Sequence, residues 1–223
     1  MSETEDLMRD LLPYYYHDWL ETTGALQILY SKEVLDTIKK YKTNVARALA
    51  CRLADAAYNF GEEKVFKMIK IFDNNKVADT INKYEGYGSA EEVASWLADK
   101  AYFSNKEEEV FKMSEILGDN RVVDTINKYE GDVAVEFTRR LCMEAYNLNE
   151  RKVFKMSEIL GDEEVLDTIN KYKGEDAVRI ACRLGFAAYC YDEKEKVLEV
   201  ARAIEEIGID RFDDILKSIY FFE

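Results

Sequence analysis

Three carboxylates fall close together near the end of the chain, Asp210, Asp213 and Asp214, and side chains of this kind could hold a magnesium ion and through it a diphosphate group. Their order, DxxDD, reverses the DDxxD order such sites use, and no second acidic cluster answers them, so a magnesium-dependent all-helical enzyme is only a third reading. His17 is the single histidine, which rules out a multi-histidine metal site, and it has no nucleophile near it in sequence. The four cysteines, Cys51, Cys142, Cys182 and Cys190, lack the close CxxC spacing of zinc or redox centres and read as reduced thiols of the core, with Cys190 expected at the surface. Glycine-rich phosphate loops, GxSxG elbows and HExxH motifs are absent. No catalytic residue, metal or cofactor is implied.

Residues suited to binding are easier to find. On the helix that ends at Tyr189, Ala177, Ala181, Leu184 and Ala188 form the buried side, so Arg179, Arg183, Phe186 and Cys190 form the stripe that faces away. Equivalent positions in earlier copies are Ala48, Arg52, Asp55 and Asn59, then Glu92, Trp96, Asp99 and Phe103, then Glu136, Arg140, Met143 and Asn147. Arg52, Trp96, Arg140 and Arg183 would form a row, with Phe103, Met143 and Phe186 beside it. Trp, Arg, Phe and Met are the types enriched at interfaces. A basic row in an acidic protein favours an acidic protein or peptide partner. The competing expectation is that neighbouring repeats, or a second copy in a homodimer, cover the same side chains.

The elements that carry this stripe recur. An octapeptide close to Val-Leu-Asp-Thr-Ile-Asn-Lys-Tyr occupies 34–41, 77–84, 122–129 and 165–172, and its aspartates are spaced by 43, 45 and 43 residues. The Val of a Val-Phe-Lys-Met run recurs at 65, 110, 153 and, degenerately, 197, while tyrosines end the long helix at 58, 102, 146 and 189. A period near 44 belongs to stacked helical units. Each unit reads as three helices: in the fourth copy 152–160, 163–172 and 175–189, with Gly161 as a left-handed cap, Asp162 as the next N-cap and Lys173-Gly174 as a stop. The terminal stretch 197–207 and 211–220 supplies a first and second helix without a third.

Within the octapeptide Asp36/Lys40, Asp79/Lys83, Asp124/Lys128 and Asp167/Lys171 share the outer helix side, and exposed i,i+4 pairs are expected. Asn82, Asn127 and Asn170, poor residues inside a helix, are expected to cap a neighbouring loop.

Charge fixes the setting. The net charge is −14, of which residues 1–30 and residues 191–223 carry −5 each, so the acid sits at the two ends. Like charge on both ends opposes open-ended stacking, and these segments read as caps. Non-specific nucleic-acid binding, which depends on clustered cations, is not expected. No apolar run approaches the roughly 20 residues of a membrane span. Residues 1–10 are acidic where an export signal would be basic and then apolar, so a cytoplasmic protein is expected. One glutamine and one proline beside abundant Lys and Glu hint at a heat-adapted source, a hint weakened by eleven asparagines.

A long third helix, a short linker, then a first and second helix resembles the armadillo family of α-solenoids, with HEAT repeats as relatives. The residues that carry it are Ala181-Cys182-Arg183-Leu184-Gly185-Phe186-Ala187-Ala188-Tyr189, then 195–207 and 212–219, within a repeat covering 24–222. The resemblance implies an all-α, right-handed solenoid of tandem three-helix repeats of about 43–45 residues with the third helix lining the concave surface. Three departures accompany it: a slightly long period, Asp73 where glycine usually follows the first helix, and no ladder of asparagines. The expected organisation is one domain over 1–223, with an N-terminal cap and the start of the first repeat in 1–30, four repeats in 31–190 and a C-terminal cap in 191–223. The expected function is a non-catalytic scaffold binding a protein or peptide through Arg52, Trp96, Phe103, Arg140, Met143, Arg179, Arg183 and Phe186, and the alternative is a self-assembling homodimer.

Overall fold

The computed structural model describes residues 10–12, 24–104 and 106–220. The aromatic stretch at 14–19, including His17, and most of the expected N-terminal cap lie outside the described residues. Among the described residues the chain is all-helical: α1 (Ala25–Leu29), α2 (Lys32–Ile38), α3 (Thr43–Phe60), α4 (Glu62–Phe72), α5 (Asn75–Asn82), α6 (Tyr87–Phe103), α7 (Glu107–Leu117), α8 (Asn120–Ile126), α9 (Gly131–Tyr146), α10 (Glu150–Leu160), α11 (Glu163–Asn170), α12 (Gly174–Cys190), α13 (Lys194–Ile207) and α14 (Ile209–Tyr220). A helix of 11 residues, one of 7 or 8 and one of 16 or 17 follow each other in that order from α4 to α12. No helix among the described residues is long and apolar enough to cross a membrane.

Two compact units divide the chain, Met1–Gly118 with α1 to α7 and Asp119–Glu223 with α8 to α14. The boundary falls inside the third copy, between its first and second helices. In the first unit α3 packs on α6, and both present alanine among larger apolar residues: Leu49, Ala50, Leu53, Ala54 and Ala57 on one, Val93, Ala94, Leu97, Ala98 and Ala101 on the other, all buried. Small side chains let two helix axes approach while the leucines fill the grooves. In the second unit α9 packs on α12 in the same way, and a Cβ at Gly185 would lie only 3.4 Å from both the Phe137 ring and Arg140 Cγ.

The octapeptide forms the joint between copies, because each second helix packs on the first helix that follows it. Tyr41 donates from its phenol to the Phe72 carbonyl, Tyr84 to the Leu117 carbonyl at 2.7 Å, and Tyr129 to the Leu160 carbonyl. Those carbonyls belong to the last residues of α4, α7 and α10, which have no partner inside their own helices. Thr80 and Thr125 donate to the carbonyls of Ser114 and Ser157 one turn earlier, at 3.3 and 3.0 Å. Lys83 and Lys128 reach the carbonyls of Gly118 and Gly161, each at 2.6 Å, where a cation also meets the negative end of the helix dipole. Burial holds the phenols of Tyr41 and Tyr129 far above their ordinary pKa, with Asp73 and Asp162 adding to the effect, so they remain donors at any physiological pH.

This joint corrects two expectations. The lysines bond forward rather than to the aspartate four residues before them: Lys40 pairs with Asp73 and Lys171 with Glu205 at 2.7 Å, as Lys83 and Lys128 do with carbonyls. A helix end with unpaired carbonyls offers stronger hydrogen bonds than an exposed local ion pair, which contributes only about 0.2–0.5 kcal/mol. Asn82 and Asn170 close α5 and α11 as exposed residues, Asn127 is half-buried and engaged at the end of α8, and Thr, Lys and Tyr carry bonds across to the next helix. Gly161 is right-handed, at φ −78°, and not a left-handed cap. It is small for another reason: a Cβ there would sit 2.7 Å from Thr125 Oγ1 and 3.0 Å from the Ser157 carbonyl oxygen. Asp162 does cap α11, accepting from the Glu164 amide at 3.1 Å.

Candidate interaction surface

The stripe on the third helices grades from half-buried to exposed along each helix. In the first unit Arg52, Asp55, Trp96 and Asp99 are half-buried, while Asn59 and Phe103 at the C-terminal ends are exposed. In the second, Arg140, Met143, Arg179 and Arg183 are half-buried and Asn147, Phe186 and Cys190 exposed. Glu136, placed on the outer stripe from the sequence, is instead buried at 6% exposure. It accepts from Arg139 at 3.1 Å and from Arg140 at 2.9 Å, so its charge is answered twice.

The arginines are engaged within their own units. Arg52 bonds Asp55 at 3.3 Å and faces Asp99 of α6. Arg179 bonds Asp176, Asp210 and Asp213, and Arg183 bonds the other oxygen of Asp213 at 2.8 Å. Asp213, one of the three carboxylates considered for magnesium, thus has both oxygens taken by guanidinium groups and lies buried beneath them. Trp96 donates from its indole to Glu92 at 3.1 Å.

Asp99 of the stripe and Asp213, which meets the stripe from α14, are shifted in opposite directions. Burial raises Asp99 above the ordinary aspartate range; Arg52 opposes this, and Asp55 and Glu92 add repulsion. Burial also pushes Asp213 upward, but the hydrogen bonds from Arg179 and Arg183 outweigh it and leave the carboxyl below its ordinary value. The thiols of Cys51 and Cys182 are pushed up, first by burial and then by Asp55 and Glu136 respectively, which keeps them protonated and poor nucleophiles. Cys190 is exposed, as expected, and Cys142 buried.

At the C-terminal ends of the third helices the surface becomes aromatic. Phe60 is 58% and Phe103 68% exposed, and both flank Tyr102: the Phe60 and Tyr102 rings meet edge to face at 5.1 Å, the Tyr102 and Phe103 rings at 4.8 Å. Asn59 holds the cluster from α3, donating to the Tyr102 hydroxyl at 3.0 Å. Phe60 and Tyr102 were not among the binding residues read from sequence. Tyr102 had a signal, because the tyrosine ending each long helix is one of the markers of the repeat; Phe60, two residues after Tyr58, had none. In the second unit Phe186 stacks near Tyr189 at 6.3 Å, and lysines cover the rings: Lys152 Nζ lies 4.5 Å from the Tyr189 centroid and Lys196 Nζ 5.4 Å from that of Tyr191.

A separate cleft of about 1250 Å³ opens in the second unit between α8 and α10. Its walls mix cations, among them Arg121, Lys128 and Arg151, with carboxylates such as Asp124 and Asp192. The Arg121 guanidinium lies 3.7 Å above the Phe154 ring and is gripped by Asp119, so that wall is already neutralised. Leu148, at φ 57°, turns the chain beside the cleft. Comparison with protein-family models, with curated proteins and with solved structures finds no match to this chain.

Proposed function

We propose that the chain is an armadillo-like α-solenoid of three-helix repeats that acts without catalysis as a protein or peptide interaction module, meeting its partner at the exposed ends of the third helices. The observation that carries this reading is the cluster of Phe60, Tyr102 and Phe103, an aromatic patch left at the surface of an otherwise highly charged protein. Large rings gain most from being covered, and they lose little side-chain entropy on binding, which is why they dominate interface energetics. The repeated joint of Thr, Lys and Tyr supports the solenoid, since the same bonds translate one copy onto the next.

Peptide display tests this directly. Peptides enriched on the parent protein should fail to bind a Phe60→Ser/Phe103→Ser variant and should bind a variant altered in the α8–α10 cleft, Arg151→Ser, as well as they bind the parent. Enriched peptides that bind all three proteins equally would place the interaction elsewhere and end this reading. Self-assembly is the rival for the same patch. A light-scattering mass near 25.9 kDa at every concentration favours the open surface, and a stable dimer dispersed by the same double variant favours a homodimer.

A further inference from the structure

The aromatic edges of the two units differ in one substitution of partners. In the second unit the lysine just before the buried valine of α10, Lys152, stands over Tyr189. The same position of α4 is Lys64, which would stand over Tyr102 by analogy. Its ammonium instead donates to the Ser104 carbonyl at 3.0 Å, and Tyr102 is flanked by Phe60 and Phe103. The other lysines close to this edge in sequence, Lys100 and Lys106, both pair with Glu109, at 3.0 and 3.1 Å. The stripe leading to the edge carries Asp55, Glu92 and Asp99, with Arg52 as the facing cation.

From this we infer that the Phe60, Tyr102 and Phe103 edge is a docking site for a cationic segment, an arginine- or lysine-bearing stretch of a partner protein. The inference rests on the interaction-module reading and gives the partner its chemistry. Aromatic faces attract ammonium and guanidinium groups, most strongly when the cation is partly desolvated. The second unit satisfies the same edge with its own lysines; the first leaves it to an outside cation. Asp55 and Asp99, each about one turn back along α3 and α6, complement a basic segment and would repel an acidic one. This reverses the acidic partner expected from the arginine row, whose arginines already face carboxylates of their own unit.

The test must separate ring recognition from the attraction that any protein of charge −14 exerts on a cation. Fluorescence anisotropy would follow fluorescein-labelled Gly/Ser peptides bearing arginines, lysines or glutamates, titrated with the full chain at physiological salt. The Phe60→Ser/Phe103→Ser variant leaves the charge unchanged, and both positions are exposed, so its helical circular dichroism should match the parent. The arginine peptide should bind the parent about tenfold more tightly than this variant. Phe186→Ser in the second unit should leave its affinity unaltered. Equal binding to parent and double variant, or tighter binding of the glutamate peptide, overturns the inference. Binding of all three peptides that depends equally on Phe60 and Phe103 removes the cationic choice and leaves the interaction surface standing; no dependence on either ring for any peptide removes both. A second measurement needs no variant. Tetramethylammonium chloride should shift the ring-proton resonances of Phe60 and Phe103 in the parent more than sodium chloride does, and equal shifts count against the proposal.

Discussion

The two units finish the C-terminal ends of their third helices differently. In the first, one arginine, Arg52, faces the half-buried Asp99, whose carboxyl is raised, and the rings beyond it stay open. In the second, Arg179 and Arg183 clamp Asp213, whose carboxyl is lowered, and lysines cover Tyr189 and Tyr191. The order of helices is shared by the two units, and a few side chains decide how far the outward surface is engaged within its own unit. The second unit spends its stripe on holding α12 to α14. The first keeps part of it available.

The largest expected difference between the units comes from removing these carboxylates. Asp213→Ala leaves two guanidinium groups facing an empty buried position and should cost about 2–3 kcal/mol, short of the full penalty for a buried pair because both arginines are about a third exposed. Asp99→Asn keeps an acceptor for Arg52 and removes a charge that burial disfavours, so it should change stability by less than about 0.5 kcal/mol. Urea unfolding of both variants checks this, and losses of equal size would erase the contrast.

Next in size is the joint. Gly161→Ala would drive a Cβ against Thr125 and should cost about 1–3 kcal/mol, with much of the loss recovered in Gly161→Ala/Thr125→Ala. The first joint already has Asp73 at this place, held by Thr37 and Lys40, so Asp73→Gly should alter stability by only a few tenths of a kcal/mol. Additive effects in the double-mutant cycle would show that contact with Thr125 is not what requires glycine.

Acid should sharpen the comparison further. Asp213 has a depressed folded pKa, so its contribution is present above the ordinary aspartate value of 3.8 and is lost as pH falls through the lower folded value. Asp99 is raised, so its charged form costs stability at neutral pH, and the cost is relieved as pH falls through its folded value above 3.8. Carboxyl carbon NMR titration should find Asp99 protonating before Asp213 on the way down, and the reverse order would refute the account of the stripe. The smallest effect is expected from Lys152→Ala. It uncovers Tyr189, makes the second edge resemble the first and should cost about 0.5 kcal/mol, measured by thermal unfolding.

Much of this was legible beforehand because it is local. The 3.6-residue pattern of the octapeptide puts Val165, Leu166, Ile169 and Tyr172 on one side with Thr168 on its border; Val165, Thr168 and Ile169 are buried, and Leu166 and Tyr172 half-buried. Asp162 announces the start of α11 through its own amide contact two residues on. The forward reach of Lys83 and Lys128 was not legible, since a lysine stem spans equally well to an aspartate one turn back and to a carbonyl on the next helix. Sequence spacing also gave no sign that Asp213, far along the chain from Arg179 and Arg183, would sit between them.

The sequence by itself determined the helical class, the third helix as the longest of each set and most of its outward stripe, Glu136 excepted, because periodicity and caps act within one or two turns. Only the tertiary structure decided which of those outward side chains are engaged: whether a lysine covers a ring or turns to a carbonyl, and whether a carboxylate meets one arginine or two. Those choices depend on distances between helices brought together by packing. In the first unit Phe60 and Phe103 are left open, while in the second lysines stand over Tyr189 and Tyr191 and Phe186 stays exposed.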